Sequence, residues 1–201
     1  MALESLQDLY LEQLKDLYSA ETQILEALPK MIEAAGSEEL RAAFETHLAQ
    51  TEQQKKRLEE IGRRSGQTLT GHKCKGMEGL LEEGEELLEE RADSDVLDAA
   101  LIAAAQRVEH YEMAGYGCAR TYARLLGLED DANLLQQTLN EEGDTDHLLT
   151  QMAERVINIE ALMGEATGDR EIARSTSSEM GKGGKSSGRG RSSTTDSETR
   201  A

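Results

Sequence analysis

Four stretches of the chain carry apolar residues at alternating spacings of three and four, the signature of a helix face, and in each the stripe is broken by polar residues. Glu21 interrupts Leu3, Tyr10, Leu14, Leu17, Ile24, Leu28 and Met31. His47 interrupts Leu40, Phe44, Thr51, Gln54, Leu58 and Ile61, with Gln50 one turn further on. Glu109 and Glu112 interrupt Ile102, Ala105, Tyr116, Ala119, Ala123 and Leu126. Glu142 and Asp146 interrupt Leu135, Leu139, Leu149, Ala153 and Val156. One carboxylate on such a stripe is an ordinary boundary residue whose head reaches water. Breaks on all four stripes ask for another explanation, because an unpaired buried carboxylate costs several kcal/mol even after relaxation. Cations held among the carboxylates would offset that cost. Carboxylates with at most one imidazole are a donor set for two hard divalent ions, as in di-iron and di-manganese centres.

The elements that must position these residues are four long helices and a short one. The first runs from about Leu3 to Ala35 and is stopped at Gly36-Ser37. The second extends to about Ser65 and the third from the caps at 93–95 to Gly127. The fourth runs from about Asp130 to Met163. A shorter helix with Met77, Leu80, Leu81, Leu87 and Leu88 on one side lies in the connection 66–92. The connections at Gly36-Ser37 and 127–129 are tight and make antiparallel hairpins, while 66–92 is long enough to return along a bundle. Two helical hairpins joined by a crossover form the ferritin-like connectivity. Each long helix, of about 30 residues, spans roughly 45 Å. All seven polar residues fall 11 to 19 residues from the nearer tight connection, so they share one level near the middle of the bundle.

Composition narrows the field. Among 201 residues there is no Trp, one Phe and one Pro, which argues against an all-β fold. The sequence predicts an all-α bundle over 1–166 followed by a disordered tail, 167–201, of Ser, Thr, Gly, Arg and Lys. The tail holds seven basic and five acidic residues, which leaves 15 basic and 35 acidic in the body. A body so acidic repels phosphates, so nucleic acid and anionic membranes are not its partners; a weak nucleic-acid contact is left to the tail. The longest apolar run, Ala99 to Ala105, is too short to span a bilayer, and the first residues lack the pattern of a signal peptide. Two cysteines do not make a disulfide scaffold, so both are expected to be small packing residues of a cytoplasmic protein.

The segments Tyr18-Ser-Ala-Glu21-Thr-Gln-Ile-Leu-Glu-Ala-Leu-Pro-Lys-Met31, Phe44-Glu-Thr-His47-Leu, Cys74-Lys-Gly-Met-Glu-Gly-Leu, Val108-Glu-His-Tyr-Glu112 and Thr138-Leu-Asn-Glu-Glu142, the last followed by Asp146, resemble the YciE/YciF family of bacterial ferritin-like proteins over roughly residues 3–163. The resemblance implies a rubrerythrin-like bundle, a di-metal centre, a homodimer and a link to stress. One departure is that the family usually has Glu three residues after the histidine of the second helix, where this chain has Gln50, a neutral and weaker ligand.

Two readings follow. In the first, the chain is a di-metal stress protein that reacts with peroxide or dioxygen. Its ions are iron, or manganese or zinc in its place, and Glu21, His47, Glu109, Glu112, Glu142 and Asp146 are ligand candidates, with Gln50 a weak one. In the second, it is a structural, dimeric helical stress protein whose polar centre is a degenerate or idle metal site. The carboxylate excess favours the first reading. Gln50 and the absence of a second stripe histidine favour the second. His110, His147 and His72 stand off the stripes or in a loop and are not ligand candidates.

Overall fold

The structure, a computed structural model, describes residues 3–90 and 92–164. The expected disordered tail lies outside the described residues. Five helices follow one another, α1 (Leu6–Ala34), α2 (Glu38–Ser65), α3 (Lys75–Glu89), α4 (Ser94–Leu125) and α5 (Glu129–Met152). A π-helical turn, Ala153–Ile157, and a further helical stretch to residue 164 extend α5. There is no strand among the described residues.

Local chemistry fixes the ends. α1 begins at Leu6 rather than Leu3, because the Ser5 hydroxyl accepts the Asp8 N–H at 3.1 Å and Ser5 donates back to the Asp8 carboxylate at 2.7 Å. Leu3 is left exposed. α2 and α4 both end at a left-handed glycine, Gly66 (φ 67°) and Gly127 (φ 74°). In each case the next N–H reaches back five residues, Gln67 to the Gly62 carbonyl and Leu128 to that of Ala123, both at 2.9 Å. Gly36 does a different job. A β-carbon there would sit 2.1 Å from the Ser94 hydroxyl, so glycine is needed for close approach.

That approach defines the topology. Asp98, buried near the start of α4, accepts the N–H groups of Gly36 and Ser37 at 2.8 and 2.7 Å. The α1–α2 turn and the beginning of α4 are therefore at the same end of the bundle. At the far end, Tyr10 donates to Asp131 at 3.2 Å and Arg64 lies 3.7 Å from the same carboxylate. This gathers the beginnings of α1 and α5 at the close of α2. The connection from α2 to α4 must run the length of the bundle, as the loop lengths imply. α1 packs on α2 and α4, α5 packs on α2 and α4, and α3 lies against α1 and α4. The fold is a ferritin-like four-helix bundle whose crossover carries a short helix.

Cys74 ties that crossover down. Its thiol accepts the Met77 N–H at 3.4 Å, capping α3, and lies 3.0 Å from the Tyr111 hydroxyl. Tyr111 in turn donates to Asp16 at 2.7 Å. Ser19 accepts the Cys74 N–H at 2.9 Å. Cys74 is thus a cap and anchor as well as a packing residue, whereas Cys118, expected inside, is exposed. The π turn corrects another expectation. One extra residue per turn brings Ile157 inward beside Ala153 and leaves Val156 outside.

Asp98→Ala removes the acceptor of two buried N–H groups. Hydrogen bonds to charged groups are worth roughly 1.5–3 kcal/mol each, so urea denaturation should show a loss of about 3–6 kcal/mol. A loss below 1 kcal/mol would mean that water replaces the carboxylate without cost.

Candidate metal centre

The bundle core is two apolar clusters rather than one. The first contains Ala20, Ile24, Leu28, Phe44, Leu101, Ile102, Leu149 and Met152. The second contains Tyr10, Leu14, Leu17, Leu58, Ile61, Tyr116, Ala119 and Leu135. Along each helix, the polar residues fall at the boundary between the two. Glu21 lies between Leu17 and Ile24, His47 between Phe44 and Leu58, Glu109 and Glu112 between Val108 and Tyr116, and Glu142 between Leu135 and Leu149.

Four of these meet. His47, Glu109, Glu112 and Glu142 are all buried, and each offers one ligand atom within 4.8 Å of the others. The spacing explains why. Glu109 and Glu112, three apart on α4, share one face, and α2 and α5 each add one residue at the same level. His47 Nε2 lies 3.2 Å from Glu109 Oε1. Glu21, also fully buried, borders the group from α1, and its Oε1 accepts a short hydrogen bond from Tyr116.

The electrostatics are those of a site short of positive charge. Burial pushes the carboxyls of Glu21, Glu109 and Glu112 well above the ordinary carboxylate range, and mutual repulsion adds to it. Glu142 is pushed up to about 7, again by burial, with the Arg57 charge working against the shift. Burial lowers His47 to about 4, so its imidazole is neutral at pH 7 and free to act as a ligand. The charge of Glu142 adds to the burial that raises Glu109.

The donor set fits divalent ions. Both oxygens of Glu112 and of Glu142, Oε2 of Glu21 and of Glu109, and both nitrogens of His47 are buried without a hydrogen-bond partner among the described residues. Buried polar atoms in folded proteins are almost always satisfied, so a cluster of orphans needs ions, protons or water. Carboxylate oxygens and one neutral imidazole suit hard to borderline metals such as iron, manganese or zinc.

Two candidates remain. Gln50 is half-buried and follows His47 by three residues, the spacing that puts Glu109 and Glu112 on one face of α4. Asp146 is also half-buried and engaged elsewhere. It accepts from Gln106 at 3.0 Å and lies 3.3 Å from His110 Nε2, while its charge still reaches Glu109. His147 is exposed, and His72 contacts Asp16 and Glu12. Sequence reasoning missed Arg57, which holds Glu141 with two hydrogen bonds of 2.6 and 2.7 Å and casts its charge on Glu21 and Glu142. It also took Tyr116 mainly as core, although its hydroxyl binds Glu21. A buried tyrosine one turn from Glu112 on the same face was the available signal.

A ferritin-like bundle with a buried histidine–carboxylate group able to hold a metal is the class that fold and site define. Residues 5–162 match a family described as a domain of unknown function (DUF892), and the chain belongs to it. Protein YciF of Escherichia coli K12 is 43% identical over 162 residues, covering 80% of this chain and 98% of that protein. The crystal structure of this E. coli stress protein superposes with a TM-score of 0.75 over 78% of this chain and 99% of that one. YcfI of Rhodopseudomonas palustris, 42% identical, gives 0.71 over 74% and 94%. A Xanthomonas campestris protein, at 16% identity, gives 0.64 over 81% and 99% and shares the fold.

The raised carboxyls set a pH dependence. Above about pH 7, His47 is neutral in both folded and unfolded chains. The unfolded carboxyls have already ionised near 4.5, while the folded ones still hold protons. The folded state therefore binds more protons, and stability falls as pH rises, by about 1.4 kcal/mol per unit for each carboxyl still protonated. Urea melts of metal-free protein at pH 7 and 9 should show this loss, and Glu112→Gln should reduce it. A flat profile would mean that these groups are hydrated or already ionised.

Proposed function

We propose that the chain is a two-ion carboxylate protein, loaded with iron, that consumes peroxide or dioxygen in the cytoplasm under stress and works as a homodimer. One observation carries the reading. Glu21, Glu109, Glu112 and Glu142 would bear four negative charges when ionised, the amount that two divalent cations neutralise, and their free oxygens surround a neutral imidazole. When bound, two ferrous ions would supply one electron each, enough with two protons to reduce hydrogen peroxide to two waters. Likeness to an E. coli stress protein supports the setting.

The residues divide the work. His47 and the four carboxylates hold the ions. The Tyr116 hydroxyl fixes one oxygen of Glu21 and so orients the other. The Arg57–Glu141 pair joins α2 to α5 beside the centre, where the Arg57 charge tempers the negative field and Glu141 adds to it. Protons released from the carboxyls as ions bind are available to the reduced oxidant. The two apolar clusters exclude bulk water above and below, which strengthens each of these interactions. Gln50, a neutral amide three residues beyond His47, would be at most a weak oxygen donor beside the site.

Anaerobic titration of metal-free protein with ferrous iron should reach two ions per chain. Glu142→Ala should lower the affinity at least 100-fold, while Gln50→Glu, which supplies a charged donor, should raise it. Fewer than one ion per wild-type chain would sink the proposal.

A further inference from the structure

Beneath α3 the packing is incomplete in a particular way. A cavity of about 30 Å³ lies between α1, α3 and α4. A second, of about 20 Å³, lies deeper, and its lining includes His47 and Glu109. The two share Ala27, Met31, Leu81, Ala105 and Val108 as walls, so they adjoin. Outward, the first shares Ala27, Lys30, Leu81 and Glu85 with a polar surface cleft of about 220 Å³. The three lie in series between solvent and the ligand group, divided from one another by the side chains they share as walls. Apart from His47 and Glu109, the inner wall is apolar. The imidazole at its end is 4% exposed, its Nε2 3.2 Å from Glu109 Oε1 and its Nδ1 without a hydrogen-bond partner among the described residues.

The chemistry of the walls selects what can travel there. A water molecule needs two to four polar partners, and the stretch walled by Ala27, Met31, Leu81, Ala105 and Val108 offers no polar side chain. Hydrogen peroxide would shed its hydrogen bonds on the way, at a cost of several kcal/mol. Ions are excluded more strongly still. Dioxygen has no hydrogen bonds to lose and is small enough for passages lined by Ala27, Gly84, Ala104 and Ala105. We propose that the apolar passage under α3, through Leu81, Ala105 and Val108 to His47, is the route by which dioxygen reaches the ligand group. The inference rests on the redox reading above and refines it, making dioxygen the oxidant this path admits; two ferrous ions and two protons would reduce it to hydrogen peroxide.

The test uses dioxygen itself on the full-length, metal-free chain. Under oxygen pressure, the paramagnetic gas should speed relaxation of the Leu81, Ala105 and Val108 methyls at least threefold over those of Leu14 and Leu58 in the other cluster. Ala105→Leu should abolish the difference. Because an added leucine could overpack the core, Gly84→Ala is the second variant. Its new methyl would meet Ala104 at 3.8 Å, an ordinary contact, and narrows the outer cavity. In ferrous-loaded protein of unchanged iron content, both variants should slow oxidation by dioxygen, Ala105→Leu at least tenfold. Equal relaxation of both methyl groups, or unaltered oxidation rates in both variants, overturns the route. If the wild-type chain binds no iron, the redox reading falls while the methyl relaxation still decides the passage.

Discussion

Desolvation of Glu21, Glu109, Glu112 and Glu142 is the dominant electrostatic fact of this molecule. Four acids crowd the middle of a helical bundle, with Tyr116 bound to Glu21 and a neutral histidine 3.2 Å from Glu109. Left to themselves they keep protons far above their ordinary range. Ions would convert the repulsion into coordination. The folded chain therefore holds its ligands in a geometry it would relax if it could, and the rest of the architecture prevents that.

Restraint comes from the periphery. At one end Asp98 clamps the α1–α2 turn, and at the other Tyr10, Asp131 and Arg64 gather three helices. Arg57 and Glu141 join α2 to α5 beside the centre. Each interaction fixes a helix level, and a level error of one residue would rotate a ligand by about 100° off its face. Above and below, the two apolar clusters lock rotation about the helix axes. The polar layer between them makes the centre the least self-stabilising part of the core.

α3 occupies a separate position in this scheme. It is anchored by Cys74, Tyr111, Asp16 and Ser19 near its first turn, and it covers α1 and α4 through Met77, Leu80 and Leu81. Small residues opposite it, Ala27, Ala104 and Ala105, keep it from sealing the wall completely. Covering helix and access path are in this way one feature.

Periodicity and loop length carried most of the architecture. A 3.6-residue pattern needs only the order of residues, and so do the glycine stops at Gly66 and Gly127, whose positive φ few other residues tolerate. The same pattern exposed the centre, since a glutamate on an apolar stripe is visible without coordinates. Periodicity could not tell a residue that reaches the axis from one a turn away at the seam between two helices. That choice separated Glu142 from Asp146, which Gln106 and His110 draw aside. Nor could it reveal that Arg57 lends its charge to the centre, that Tyr116 holds Glu21, or that α3 leaves a hydrocarbon gap leading to His47. The sequence by itself determined which faces turn inward, because burial follows local order. Tertiary structure decided which inward groups touch, because that depends on the levels and rotations of helices set by contacts distant in the chain.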